Sequence, residues 1–287
     1  MIDYETLRHF SIPSVTHHLT KRDAAFYALS IGLGQDPLDT RHLRFVDYTK
    51  ALETLPSMAT VLAHPGFWLA DPATGVDATR VVLGEQRIDI RMPLPSEGDV
   101  IGRTRVTEVV DKGPGKNALL YSEREIIEVR SGKTVAVTTA TTVLRGQGGF
   151  GGPTAQEPAV HALPERSPDV SIDAVTRPEQ ALYYRMNGDD NPLHADPEVA
   201  ARAGFPRPIL HGLCTFGIVC HALIHALAQC DPGALSQVAA RFSQPVFPGE
   251  TIRTEIWDDG SFRARALERD VIVVSNGKAS ITHERKS

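Results

Sequence analysis

The spacing of hydrophobic and polar positions changes several times along the chain, and each change predicts a different element. Residues 21–33 carry alanine, phenylalanine, tyrosine and leucine at helical spacing, and Gly34 supplies a residue suited to ending a helix. Residues 85–92 alternate polar with apolar side chains around Ile88, Ile90 and Met92, the period of a strand with one covered face. Residues 119–129 and 134–144 are rich in β-branched side chains and read as further strands. Later, residues 212–229 form an apolar stretch long enough for a buried helix, followed by expected strands at 236–242, 251–257, 262–268 and 271–282. A long helix followed by several antiparallel strands, twice over, is an α+β plan in which each helix lies against one face of a curved sheet.

The two runs are separated by residues 146–170, which begin Gly-Gln-Gly-Gly-Phe-Gly-Gly-Pro and continue rich in proline, alanine and glutamate. Glycine has the most conformational entropy to lose and proline lacks an amide donor, so this stretch resists helix and sheet and reads as a linker. It divides the chain into an N-terminal half, 1–145, and a C-terminal half, 171–287. A phosphate-cradling loop would need a helix start after the glycines, where Pro153 and a polar run stand instead. The halves echo each other. Asp36-Pro37-Leu38-Asp39 is matched by Asn191-Pro192-Leu193-His194, and the Pro-rich run ending in Gly98-Asp99 by the one ending in Gly249-Glu250. Two matches in the same order at nearly one offset point to an internal duplication.

Composition narrows the class. With 287 residues, 41% hydrophobic and 23% charged, the chain can build its core without staples. A formal net charge of -5 speaks against a nucleic-acid binder. The three cysteines, Cys214, Cys220 and Cys230, are odd in number and clustered, which suits a reducing compartment rather than a disulfide framework. No apolar run reaches 18 residues, the first residues are acidic and polar, and Arg285-Lys286-Ser287 is not a peroxisomal address, so the expectation is cytoplasmic with no membrane span.

The chemistry-bearing stretch is 184–212. Asp189 and His194 stand five residues apart across an Asn191-Pro192 turn; proline fixes its own φ and pushes Asn191 to an extended shape, so the turn is stiff and can aim both groups at one volume. An acid and an imidazole suit proton movement near neutral pH. The plainer reading stays open beside it, since Asp and Asn before Pro also make turns and Asp196-Pro197-Glu198 has the form of a helix cap. His211-Gly212 precedes the apolar helix, whose first amides are free to meet an oxyanion. His221 and His225, four apart on that helix, have zinc-compatible spacing but no glutamate between them, and Cys214 in an apolar helix reads as packing. No metal is expected.

These residues resemble the signature of the type-2 enoyl-CoA hydratases, also called MaoC-like hydratases. The pattern Asp-x-Asn-Pro-Leu-His-x-Asp is present from Asp189 to Asp196, followed by an alanine-rich stretch, Gly204-Phe205 and Ile209-Leu210-His211-Gly212. Further blocks look like the two-part, eukaryote-style members: Tyr27-Ala28-Leu29-Ser30-Ile31-Gly32, Leu55-Pro56, Gly84-Glu85-Gln86, Asp111-Lys112-Gly113, Arg241-Phe242 and Pro248-Gly249. The resemblance implies a double hot-dog fold, with two half-domains in one chain replacing two subunits of a dimer. It implies that Asp189 and His194 are the catalytic pair, that Asn191 orients ligand or water, and that the Gly212 amide binds the thioester oxygen. Leu83, Gly84, Lys112, Asp190, Pro192, Leu193 and Phe242 fall where the family contacts acyl-CoA. Leu83 departs from the family, which often has histidine there; leucine cannot hydrogen-bond, and the acyl preference changes with it. The implied activity is an (R)-specific hydro-lyase acting on trans-2-enoyl-CoA, with no cofactor beyond the CoA of the substrate and a homodimer as the candidate assembly. Competing readings are a dehydratase of lipid or polyketide synthesis, a hot-dog thioesterase, and a non-catalytic acyl-CoA-binding subunit.

Overall fold

The computed structural model describes residues 2–154 and 160–282. The N-terminal half contains α1 (Tyr4–Arg8), β1 (Val15–Leu19), α2 (Lys21–Ser30), α3 (Leu43–Val46), β2 (Val81–Ile90), β3 (Gly98–Asp111), β4 (Ala118–Glu128) and β5 (Lys133–Leu144). The C-terminal half contains β6 (Val170–Val175), α4 (Gln180–Arg185), α5 (Pro197–Arg202), α6 (Gly212–Leu227), β7 (Leu235–Phe242), β8 (Thr251–Ile256), β9 (Ser261–Ala266) and β10 (Val271–Ile281).

The ten strands pair antiparallel into one continuous sheet, in the order β1-β3-β4-β5-β2-β7-β10-β9-β8-β6. Read outward from its centre, the order is the same in both directions, so each half has one topology and the halves meet through their equivalent strands β2 and β7. That seam runs from Glu85 opposite Arg241 to Asp89 opposite Gln237. An Arg241–Glu85 ion pair of 2.7 Å and a hydrogen bond from Gln237 to Asp89 flank it. It is a twofold-type interface held within one chain, and it removes the exposed edge each half would otherwise present. The architecture is the double hot-dog. Gly98 and Gly249, matched in the sequence echo, both have left-handed φ (+112° and +95°) just ahead of the equivalent strands β3 and β8. Only glycine enters that conformation without strain.

The two halves differ in what covers the sheet. Thr20 and Asp23 form a capping box at the start of α2, which buries Ala24, Ala25, Tyr27 and Ala28 and ends at Ser30, three residues before the sequence expectation. Gly32 and Gly34, at φ +98° and +75°, turn the chain there. α6 is sixteen residues long and ends two residues early because Gln229 and Cys230 adopt left-handed φ. It is buried on nearly all sides, through Phe216, Ile218, Val219, Leu223 and Ile224, and packs on β6, β7 and β8 and on residues 56–60. Truncating a side chain such as Leu223 to alanine should cost about 2–5 kcal/mol. Between α3 and β2, where the other half has α6, the N-terminal half has short 3-10 turns, among them Pro56–Thr60, and among the described residues no long helix. No described helix is long and apolar enough to cross a membrane.

Three strands were not foreseen: the edge strands β1 and β6, and β3, the longest of all at 14 residues. A bulge between Val106 and Glu108 shifts the alternation of β3, and Gly102 and Thr104 stand at inward positions where apolar side chains would signal a strand.

Candidate functional site

The segment from α4 to α6 folds back on itself around the Asn-Pro turn. Asn191 Oδ1 accepts from Leu193 N at 3.0 Å, Pro192 opens a single 3-10 turn, and His194 N donates to Asn191 O at 3.2 Å. Asp189 Oδ1 accepts from Asn191 N at 3.3 Å. The turn delivers His194 beneath the start of α6, where its Nδ1 lies 2.9 Å from Ile209 O. A carbonyl only accepts, so Nδ1 carries the hydrogen and Nε2 holds a lone pair. His211 stacks on His194 with ring centroids 3.7 Å apart. Its Nε2 donates to Asp189 O at 3.3 Å, and its buried Nδ1 has no partner.

One carboxylate oxygen of Asp189 and one ring nitrogen each of His194 and His211 lie within 4.8 Å of one another. Among the described residues this is the only such cluster of His, Cys, Asp and Glu side chains, and its donor types would also suit a metal ion. Burial holds His194 below the ordinary imidazole range, against the opposing pull of Ile209 O and Asp189, so it is neutral at pH 7. His211 is pushed down to about 2 by burial and by His194, so the stacked rings do not repel as like charges.

α6 begins beside this cluster. Its N-cap His211 makes no side-chain cap, and neither the Gly212 nor the Leu213 amide has a protein acceptor. The Phe242 ring closes over the helix start, near enough that a Cβ at position 212 would meet it at 3.4 Å, an ordinary contact distance.

The site opens into a cavity of about 700 Å³ that extends across the seam into the N-terminal half. Asp189, Asp190, Asn191, Pro192, Leu193, His194, Gly212, Phe242 and Leu83, all singled out from sequence, line it together. Gly84 and Lys112 do not. Gly84 sits at the bulge between Leu83 and Glu85, where a Cβ would come within 2.9 Å of Val143 Cγ2. Lys112 lies in the turn after β3, its amide donating to Asn117 O. His221 packs edge-on against His42 and near Phe45, His225 accepts from Arg41, and Cys214 is a buried thiol whose pKa is raised by burial.

Sequence reasoning left His211 out of the site and, of the N-terminal wall, found only Leu83: Thr60, His64, Thr104, Ser122, Arg124 and Thr138 also line the cavity. One signal was available. Leu120, Ser122, Arg124 and Ile126 share one face of a strand by their period of two, and an arginine between buried Leu120 and Ile126 is thereby placed inside.

Comparison with known proteins adds to this geometry. Residues 159–281 match the model of the MaoC like domain, and residues 17–146 match that of the MFE-2 hydratase 2 N-terminal domain. The chain is 41% identical over 274 residues to 3-hydroxyacyl-thioester dehydratase Y of Mycobacterium tuberculosis, covering 93% of this chain and 92% of that one. It is 38% identical over 283 residues to the peroxisomal enoyl-CoA hydratase 2 of Arabidopsis thaliana, covering 92% and 91%. The crystal structure of a MaoC-like dehydratase from Phytophthora capsici superposes with a TM-score of 0.84 at 28% identity over 99% of both chains. With these likenesses spanning both halves, the chain belongs to the MaoC-like hydratases, in the form that carries a hydratase-2 N-terminal domain.

Proposed function

We propose that this protein adds water across the 2,3 double bond of a trans-2-enoyl-CoA thioester to give the (R)-3-hydroxyacyl-CoA, and catalyses the reverse dehydration. The observation that carries the reading is the convergence of Asp189 and His194 within 4.8 Å, beside an uncapped helix start and lining one cavity that reaches into the N-terminal half. A water between the two groups donates one hydrogen to the Asp189 carboxylate and the other to the Nε2 lone pair of His194. As its oxygen attacks C3, the proton passes to Nε2 and negative charge gathers on the thioester oxygen. The Gly212 amide donates to that oxygen; donors aimed at charge that grows in the transition state are worth roughly 3–4 kcal/mol. The imidazolium, stabilised by the neighbouring carboxylate, then returns the proton to C2 on the same face. No proton is lost overall, and the same groups run the reaction backward.

Each half has its own part in this reading. Residues 171–287 supply the chemistry and residues 1–145 the walls for the acyl chain, with Lys112 outside the cavity serving the phosphates of CoA and Phe242 packing on the thioester arm. The names of the two curated relatives, one a hydratase and one a dehydratase, support the reaction in its two directions. The test is the loss of enoyl-thioester absorbance on adding the purified chain to trans-2-enoyl-CoAs from short to long, followed by chiral assignment of the product. Hydration to the (R)-alcohol is expected. A folded protein that neither hydrates any of them nor dehydrates the (R)-3-hydroxyacyl-CoAs would overturn the reading.

A further inference from the structure

Arg124 stands in the middle of β4, opposite Thr104 of β3 and Thr138 of β5, and all three line the N-terminal part of the cavity. The side chain is 5% exposed. Nη2 donates to Ala59 O at 3.0 Å and Thr60 O at 2.6 Å. Nε is buried without a partner, and so is Oγ1 of Thr104 on the neighbouring strand. Nη1 makes no hydrogen bond within the described chain. Among the described residues no carboxylate pairs with this guanidinium, although carboxylates elsewhere engage arginines such as Arg41, Arg44, Arg105, Arg253 and Arg269.

A buried charge without a counter-charge is unfavourable unless something else compensates it. Burial lowers the Arg124 pKa only to about 10, so the group remains charged at neutral pH. His64, which faces the same cavity, is pushed down to about 3 by burial and by the Arg124 charge and is therefore neutral. The Arg124 end of the cavity is thus positive and carries the hydroxyls of Thr104, Ser122 and Thr138, while Val61, Phe67 and Leu83 line the same half with apolar wall.

Resting on the hydratase reading above, we propose that the N-terminal end of the cavity receives a carboxylate carried on the acyl chain, so that the preferred substrates are trans-2-enoyl-CoA thioesters of dicarboxylic acids. The carboxylate supplies the missing counter-charge to Arg124 and accepts from its open Nη1 and from the hydroxyl of Thr104. Charge-assisted hydrogen bonds of this kind are about twice as strong as neutral ones.

The experiment compares kcat/KM for a methyl-ended trans-2-enoyl-CoA and its ω-carboxy counterpart of equal length, across several lengths, in the full-length protein and in Arg124→Met and Arg124→Lys. The wild type should favour the ω-carboxy thioester by ~10-fold or more at its best length, the Met variant should lose that ratio, and the Lys variant should keep part of it. A wild type that prefers the methyl-ended thioester at every length overturns the proposal. So does an Arg124→Met variant that lowers both substrates equally, since an arginine that only ties down Ala59 and Thr60 would behave that way. If Arg124→Met does not fold, Thr104→Val takes its place, with the same loss of ratio expected and an unchanged ratio counting against the proposal. Should neither thioester be hydrated, the hydratase reading fails by itself. Calorimetric binding of saturated ω-carboxyacyl-CoA against plain acyl-CoA, in wild type and variants, then still decides the role of Arg124 separately.

Discussion

The turns Asp36-Pro37-Leu38-Asp39 and Asn191-Pro192-Leu193-His194 share one backbone and differ in everything that follows from their side chains. In the first, Leu38 N donates to Asp36 Oδ1 at 2.9 Å and Asp39 N to Asp36 O at 3.2 Å. In the second, the same two bonds run from Leu193 N to Asn191 Oδ1 and from His194 N to Asn191 O, at 3.0 and 3.2 Å. The last residue then decides the outcome. Asp39 accepts from Arg41 Nε and Nη2, which holds its carboxyl well below the usual range and ties it into a local ion pair. His194 is instead held by Ile209 O with its second nitrogen free for the cavity. The accompanying elements differ too. α6 fills the space over the C-terminal sheet and brings its free amides, whereas the 3-10 turn at 56–60 leaves room over the N-terminal sheet. On the proposed reading, the half with the long helix carries the chemistry and the half without it provides the space.

If that division is right, damage should be asymmetric. Asp189→Asn and His194→Gln should each lower kcat by ~100-fold or more, the usual scale for acid–base groups, with the fold intact by circular dichroism. Turnover near wild type in either variant would remove that residue from the mechanism. Gly212→Pro is the next largest. Proline is tolerated at the first position of a helix, so α6 should survive while the amide is lost, and kcat should fall by roughly 100-fold. Gly212→Ala keeps the amide and meets Phe242 only at ordinary contact distance, so it serves as the control for crowding. Equal losses in the two variants would mean that the amide is not what matters.

The response to pH separates the halves by degrees. His194 must be unprotonated to take the proton, so kcat/KM for hydration should fall on the acid side with a midpoint below the ordinary 6.5. Stability should follow the other buried imidazole. His211 has a folded pKa of about 2 against 6.5 in the unfolded chain, so its contribution is complete above 6.5 and is lost as pH falls below it, at up to about 1.4 kcal/mol per pH unit. Asp39, with its depressed carboxyl, stabilises the fold fully above about 3.8, and that contribution is lost only as pH falls through 3.8 and below. Between pH 7 and 5 the urea midpoint should therefore fall, and His211→Asn should flatten that fall. An unchanged slope in the variant would break the assignment. The smallest effect belongs to the N-terminal turn: Asp36→Ala and Asp39→Ala should leave kcat/KM within ~2-fold of wild type. A loss there comparable to that of His194→Gln would show that the first turn still does chemistry.

The Asn-Pro turn was legible because its geometry is local: proline, asparagine and the residues they aim lie within six positions of each other. Most strands and α6 were legible from the periodicity of their side chains. The Pro-rich echoes ahead of Gly98 and Gly249 marked real equivalences, as the mirrored strand order shows. The ends of α2 and α6 were misplaced by two or three residues, since backbone angles at Gly32 and Gln229 rather than composition set them. β3 escaped notice because Gly102 and Thr104 stand at inward positions where apolar side chains would signal a strand, and a bulge between Val106 and Glu108 shifts its alternation.

Sequence alone therefore determined the family and the α+β plan, and it singled out Asp189 and His194 as the candidate acid and imidazole, all properties carried by short runs of residues. Only the tertiary structure decided which nitrogen of His194 faces the cavity, because Ile209 is fifteen residues away and acts through its carbonyl. It alone showed which N-terminal residues beyond Leu83 line the cavity, because the seam that pairs Glu85 with Arg241 joins strands far apart in the chain. And it alone left the charge of Arg124 without a partner, since whether a buried guanidinium is matched depends on every group around it, drawn from strands and turns that the chain brings together only on folding.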